Sequence, residues 1–548
     1  MDQWLGNYGD NPLEYVSRHQ VKLSAYFRKN GDQTVNPPLS AMQVQAKYNA
    51  LTQKEKNLVD KAFTTNIANE DYIKLAPYTF VNDQGEKETI DIPKSDIFEA
   101  FRNDVSQNKL PRVSWLVAPQ KFSDHTSTPL YGTWYVSEAL DILTSDPEIW
   151  KKTVFILTYD ENDGYFDHIP PFVSPDPYDE GTGKVSPDID VRVDFEKSSK
   201  NPIGLGYRVP MIIASPWSKG GFVNSEVFDH TSTIRFLETW LSKKEKREIR
   251  CNLISSYRRA ICGDLSSAFR PFENREIPLP QKLDRESVIK NFQNARHQPP
   301  QAGPSALGAG DIAIINTVLP FEKNASVHFA MQEKGSRRAC AIPYALGADV
   351  NVSEDGHTLR LRLEAAASRL GGKQNGRGAP FSVYTPGSYL DEAGRCWDFA
   401  LSAGSTLTYD WDISSFTKGL YDLHVHGPNG FFRKFKGDQN TPSVNITLFE
   451  IRKGLIRKIV EELELLVQND STDDISLYLD NGRYHNYHQT VLLKAKSINR
   501  VRLKIDTAHH WYEINIRMKD HPNFLRQYAG HVETGEISVS DPYMGGEL

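Results

Sequence analysis

The stretch VFILTYDENDGYFDH (154–168) joins a compact apolar run to a loop holding four carboxylates and a histidine within nine residues. A β-branched run of this length, stopped by polar residues, reads as a strand buried on both faces of a sheet. VSWLVAP (113–119) and VPMIIASP (209–216) have the same character. Between the first two, GTWYVSEALDILTSDPEIW (132–150) places Val136, Ala139, Leu140 and Leu143 on one helical stripe. Strand, helix and strand predict a βαβ unit within an α/β domain. In open α/β sheets ligands bind beyond the carboxyl ends of the strands, so the loops after the three runs are where chemistry is sought.

Outward from this centre the chain changes character. Up to about residue 292 helical and strand-like stretches alternate, as in an α/β domain. QNARHQPPQAGPSALGAG (293–310) opens a connection that extends to residue 335. Beyond it, alternating segments such as TLRLRLEA (358–365) and NRVRLKID (499–506) predict β structure. An internal repeat is legible there. Phe431-Phe432-Arg433-Lys434-Phe435-Lys436-Gly437 and Phe524-Leu525-Arg526-Gln527-Tyr528-Ala529-Gly530 share the frame F-[FL]-R-x-[FY]-x-G. Tyr421-Asp422-Leu423 precedes the first copy and Tyr512-Glu513-Ile514 the second. Two tandem all-β sandwich domains are expected, at 336–440 and 441–548.

Composition narrows the function. The 548 residues suggest three or four domains, and 64 Lys plus Arg against 70 Asp plus Glu give a net charge of −6. That balance argues against nucleic acid as a partner. The run KKEKREIR (243–250) reads as a solvated helix face rather than a polyanion site. No stretch has the length and apolarity of a membrane helix, and MDQWLGNYGDNPLEY lacks the basic start and apolar run of an export signal. Cys251, Cys262, Cys340 and Cys396 lack zinc-knuckle spacing; Cys251 and Cys262 are near enough in sequence to pair, or all four are buried thiols.

The candidate chemistry lies in the loops. Asp160, Glu161, Asp163 and Asp167 would repel one another unless a cation or a set of donors offsets them, so a divalent metal site is one reading. A solvated acidic turn, or a calcium-stabilised loop without catalytic role, is the other. An EF-hand is excluded, since Tyr165 and Pro171 occupy the positions that require Gly and Glu. The loop after 113–119 holds Lys121, Asp124 and His125; a histidine there could donate to a phosphoryl oxygen, although loop histidines are commonly exposed or structural. Asp229-His230-Thr231-Ser232 precedes a helical run, so Asp229 or Thr231 could cap it and His230 ranks second. Trp134, Tyr165 and Trp217 are candidate walls of an aromatic cage, with burial in the core as the alternative for each.

Four segments carry a resemblance: FSDHTSTPLYGTWYVSEALDIL (122–143), TYDENDGYFDHIPPF (158–172), VPMIIASPWSKGGFVNSEVFDHTSTIRFLE (209–238) and LRQYAGHVETG (525–535). Together they resemble the bacterial phosphatidylcholine-type phospholipase C family, related to acid phosphatases. The resemblance implies an alkaline-phosphatase-like α/β domain, N-terminally truncated, followed by the two β-domains. It implies hydrolysis of the phosphodiester of phosphatidylcholine or sphingomyelin, with transient contact with a membrane surface. An acid-phosphatase-like phosphomonoesterase and a non-catalytic fragment with surface-binding β-domains are the alternatives. By residue, Asp160 and Glu161 match the acidic pair that binds a divalent metal ion, His125 a phosphate-contacting histidine, and His168 and His230 further site histidines. Asn162 and Asp163 fall beside the acidic pair as substrate-binding candidates. The family's export signal, its E-N-R-S-F-D-H-Y-F-G segment and its nucleophile would precede Met1. Thr126 and Ser127 beside His125 are hydroxyls without a family match, so the nucleophile is unknown. A secreted or periplasmic location is implied.

Overall fold

The computed structural model describes residues 49–62, 75–93, 96–118, 131–274 except 163 and 166, 283–295, 306–317, 334–366, 376–453, 458–481, 483–485, 487–505 and 507–547, with isolated positions between them. The chain divides into two compact units. One comprises Met1–Tyr165, Met211–Trp217 and Phe272–Ser305; the other Phe166–Pro210, Ser218–Pro271 and Ala306–Leu548.

In the first unit, β1 (Leu75–Val81) and β2 (Lys87–Pro93) form an antiparallel hairpin. Its turn is closed by the Asn82 side-chain oxygen, which accepts from the backbone N–H of Gln84 at 3.0 Å and of Glu86 at 2.9 Å. The core is built by α1 (Glu99–Ser106) and α2 (Tyr131–Thr144) with helix Arg285–Ala295. Phe98, Phe101, Val105, Phe122, Trp134, Tyr135, Ala139, Ile142, Leu143 and Ile289 are buried there. The inward stripe of α2 is thus rotated from the expected one. Val136 and Leu140 are only half-buried, because Trp134 and Tyr135 turn the helix toward the Phe98 and Phe122 rings.

Two expectations about the sheet are corrected. VSWLVAP forms no strand longer than a single bridging residue, and Val113 and Trp115 are 41% and 51% exposed; only Leu116 and Ala118 pack on the core. A short apolar run specifies burial but not the kind of backbone that achieves it. The other two runs do form strands, β3 (Phe155–Thr158) and β4 (Met211–Ala214), but they pair antiparallel, Phe155 opposite Ala214 and Thr158 opposite Met211. A parallel pair needs a crossover, usually a helix, and among the described residues between them there is no α-helix.

The second unit contains the β-rich part. Repeat one supplies β5 (Leu346–Val352), β6 (Thr358–Ala365), β7 (Ala379–Tyr384), β8 (Cys396–Leu401), β9 (Ser405–Asp412), β10 (Leu420–His426) and β11 (Phe432–Asp438). Repeat two supplies β12 (Val444–Lys453), β13 (Lys458–Asn469), β14 (Ile475–Asn481), β15 (Tyr487–Leu493), β16 (Ile498–Lys504), β17 (Trp511–Met518) and β18 (His521–His531). Three strands of each repeat form a small sheet, in the orders β9-β6-β5 and β12-β13-β16. The other four of each join one long sheet, ordered β15-β14-β17-β18-β11-β10-β7-β8, and strand Gly183–Val185 adds to its end parallel to β8. The order is the same read from either side of the β18–β11 junction. One continuous apolar core runs through both repeats.

That junction explains the repeated frame. β11 and β18 pair antiparallel, Arg433 opposite Tyr528 and Phe435 opposite Arg526. Each arginine reaches into the other repeat. Arg433 donates to Tyr512 Oη at 3.0 Å and to the Ala529 carbonyl at 2.7 Å; Arg526 donates to Tyr421 Oη at 2.9 Å and to the Lys436 carbonyl at 2.7 Å. Both arginines are 3% exposed, over Phe431 and Phe524 respectively. Gly437 lies opposite Tyr421, and a Cβ there would come within 2.3 Å of the Tyr421 hydroxyl, so the glycine makes room for the acceptor of the opposite arginine.

All four cysteines are free thiols; Cys251 and Cys262 are not bridged. Among the described residues no helix is long and apolar enough to cross a membrane.

Candidate active site

β3 ends at Thr158, and the chain then presents Asp160 and Glu161, both exposed. The Glu161 N–H donates to Asp160 Oδ1 at 3.1 Å. The next residues form a tight turn: the Asn162 amide donates to the Tyr165 carbonyl, and the Tyr165 N–H donates to the Asn162 carbonyl at 3.1 Å. Gly164 takes the left-handed conformation this turn requires, with φ +79°. Asn162 thus spends its amide on the loop itself, and Tyr165 is 71% exposed beside it. Asp163 lies outside the described residues, as do Lys121, Asp124, His125, Thr126 and Ser127.

In the second unit His168 is exposed, its Nδ1 3.2 Å from Asp167 Oδ1. Arg208 grips Asp167 with two hydrogen bonds, Nη2 to Oδ1 at 2.8 Å and Nε to Oδ2, and the Ile169 N–H adds a third at 3.2 Å. The guanidinium holds the Asp167 carboxyl well below the usual carboxylate range. Asp167 is therefore committed to fixing the loop that carries His168.

The Asp229-His230 pair divides its labour in a similar way. Asp229 is the N-cap of α3 (His230–Glu245), accepting from the Thr231 N–H at 3.0 Å, while Ser232 Oγ accepts from the Asp229 N–H at 3.1 Å. The second Asp229 oxygen is held by Arg258 at 2.5 Å, on α4 (Ser256–Ile261). Arg258 also bonds Asp194 at 3.1 Å and the Gly204 carbonyl at 2.9 Å. Burial pushes the Asp194 carboxyl up despite this contact. His230, the first residue of α3, is exposed. The basic run at 243–250 begins in the last turn of α3, where cations oppose the negative end of the helix.

The aromatic candidates separate. Trp134 is 7% exposed, its ring centroid 5.8 Å from that of Phe122 and 6.2 Å from that of Phe98, so it is a core residue and not a wall of a cage. We predict that Trp134→Phe lowers stability by about 1–2 kcal/mol through the unfilled volume. Calorimetry on the variant checks this. Trp217 is half-buried, its N–H donating to Ser215 Oγ at 3.2 Å. The antiparallel pairing also overturns the expected convergence of loops. The acidic loop leaves β3 beside the start of β4, whereas Trp217 follows the end of β4, at the opposite end of the pair.

Asp160 and Glu161 are hard oxygen donors of the kind a divalent cation takes. A complete site needs more, and among the described residues no three His, Cys, Asp or Glu side chains converge. By themselves Asp160 and Glu161 would supply only part of the ligand set such a cation takes. The anchors Arg208 and Arg258 carry no local sequence signal, since the aspartates they hold lie 41 and 29 residues away.

Comparison with known proteins agrees with the motif reading. Residues 33–242 match the phosphoesterase family, and residues 338–438 match the C-terminal domain of bacterial phospholipase C. The chain is 34% identical over 460 residues to a non-hemolytic phospholipase C of Pseudomonas aeruginosa, covering 82% of this chain and 60% of the relative. It is 33% identical over 455 residues to the non-hemolytic phospholipase C of Burkholderia pseudomallei, covering 81% and 59%. A hemolytic phospholipase C of Pseudomonas aeruginosa is 34% identical over 479 residues, covering 81% and 59%. The chain therefore spans about 60% of the length of these curated relatives. The chain thus carries, in order, a segment of the phosphoesterase family and a segment of the bacterial phospholipase C C-terminal domain family.

Proposed function

We propose that these residues serve a metal-dependent phospholipase C reaction: hydrolysis of the phosphodiester of phosphatidylcholine or sphingomyelin to release a phosphorylated head group, by an exported enzyme with an alkaline-phosphatase-like catalytic domain. The observation that carries the reading is the exposed Asp160–Glu161 pair at the end of β3, inside the segment that matches the phosphoesterase family. Asp160 and Glu161 would hold the cation. When bound, it would stabilise charge on the phosphoryl oxygens. His125 would donate to a phosphoryl oxygen, and His168 and His230 are further site histidines by motif. For His168 and His230 the supporting geometry is alike. Each follows an aspartate anchored by an arginine, Asp167 by Arg208 and Asp229 by Arg258, which leaves the imidazole presented to solvent. The nucleophile is not assigned.

Asp160→Asn is expected to weaken divalent-metal binding roughly 10- to 100-fold, and any hydrolysis with it; unchanged metal content by calorimetry would refute the ligand assignment. The reaction itself is tested with a chromogenic phosphorylcholine ester, with and without a chelator. Chelator-sensitive turnover supports the proposal. Metal-independent turnover, or hydrolysis of phosphomonoesters alone, overturns it in favour of a phosphatase. A folded chain that binds the cation at Asp160 but does not turn over would show that these residues carry the metal ligands without the nucleophile.

A further inference from the structure

The outer surface of the long sheet has a property that phosphodiester chemistry does not use. In cross-strand register, Tyr384, His424, Lys434, Gln527, Asn515, Asp480 and His488 form one row across seven strands, from β7 to β15. At about 4.8 Å per strand the row is roughly 29 Å long. The alternation in β10 and β11 puts Tyr421, Leu423, Val425, Arg433 and Phe435 inward, so the row faces out. At one end, four rings make a platform. Tyr384 stacks on His426 at 5.6 Å with an interplanar angle of 12°, and Phe432 lies 4.9 Å from His426 and 5.7 Å from His424. His426 is exposed.

The remainder of the row consists of hydrogen-bonding groups held in place. His424 lies 3.0 Å from Tyr384 Oη through Nδ1 and 3.1 Å from Asp422 through Nε2. Gln527 donates to Glu513 at 2.8 Å and Asn515 to Asp480 at 2.9 Å. Of the carboxylates on this face, Asp422, Glu513 and Asp480 are each matched by a cation, Lys434 at 3.6 Å, Arg483 at 3.2 Å and Arg517, while Asp398 accepts from Ser382 Oγ at 2.9 Å and Asp438 from the Asn523 amide at 2.8 Å. Lys434 and Asp480 balance within the row, so it has no strong field to attract a polyanion, and the exposed aliphatic side chains of this face, Leu420 on β10 and Leu492 on β15, stand singly rather than as a patch that would enter a bilayer. Fixed amides and carboxylates beside flat rings suit a neutral polyhydroxylated chain, whose hydroxyls both donate and accept and whose C–H faces stack on aromatic rings.

We propose that this surface is a binding site for a neutral polysaccharide, separate from the phosphodiester site. It is a property of the β-repeats and stands whether or not the phospholipase reading does. The test is affinity electrophoresis of the full chain in native gels containing soluble neutral polysaccharides (dextran, mannan or a β-glucan), with heparin gels and phosphatidylcholine vesicles alongside. At least one neutral polysaccharide should retard the chain, and Tyr384→Ala with His426→Ala should weaken the retardation roughly tenfold at an unchanged melting temperature. Gln527→Ala provides a second probe of the row should the aromatic variant fold poorly. The proposal is overturned if no neutral polysaccharide retards the chain, if folded variants bind like the parent, or if heparin or vesicles bind this surface instead.

Discussion

Gly183→Ala is expected to cost about 4 kcal/mol and to free strand Gly183–Val185 from the long sheet, the largest effect we predict for a single substitution. Gly183 has φ +137°, a conformation that side chains disfavour, and an added Cβ would lie 1.9 Å from the Asp398 carbonyl oxygen. The obstacle is backbone of β8, which cannot rotate away as a side chain would. Register fixes the outcome: Gly183 opposes Asp398 and Val185 opposes Ala400, and Ala400 is fully buried with Tyr257, Ile261 and Cys262. Losing the pairing would uncover that cluster and the outer edge of β8 together. Limited proteolysis should cut the variant near residue 183 under conditions where the parent resists, and thermal melting should shift down. A variant as resistant as the parent would mean that the strand contributes little.

Arg433→Ala is expected to cost about 3 kcal/mol, and Arg526→Ala a similar amount, because each removes a buried cation serving two acceptors in the other repeat. Truncation also strands the Tyr512 or Tyr421 hydroxyl inside the core, which is the larger part of the loss. Arg433→Lys should rescue only partly, since an ammonium cannot reproduce the planar fork that reaches a hydroxyl and a carbonyl at once. Denaturant unfolding of the full chain checks all three. If both repeats still melted together at the parent midpoint, the exchange of arginines would not be what joins them.

What is legible in the sequence follows from how local the physical requirement is. The F-[FL]-R-x-[FY]-x-G frame can be read because the junction demands an aromatic under the arginine, the arginine itself and a glycine opposite a tyrosine, and demands this twice. The acidic loop is legible for a related reason, since adjacent carboxylates ending an apolar strand are visible without knowing their neighbours. Strand direction is not. VFILTYD and VPMIIASP read as strands buried on both faces, but both are only half-buried and Ile212 is 56% exposed; an apolar run is compatible with either orientation, so the antiparallel pair and the separation of Trp217 from the acidic loop emerge only from the structure. Trp134 is ambiguous in sequence because a cage wall and a core ring look alike there. The anchors Arg208 and Arg258 are invisible because an ion pair spanning tens of residues leaves no spacing to detect. His125, prominent in the motif reading, lies outside the described residues.

The repeated strand order about β11 and β18 has a consequence for symmetry. A single repeat cut free at residue 440 would expose β11 as a bare edge bearing Arg433 and Gly437, with Tyr421 behind them on β10, spaced to meet the corresponding groups of a second copy. That is the self-complementary contact of an isologous dimer. The tandem thus has the geometry of an isologous pair held within one chain, its two halves joined by the few residues between Asp438 and Val444.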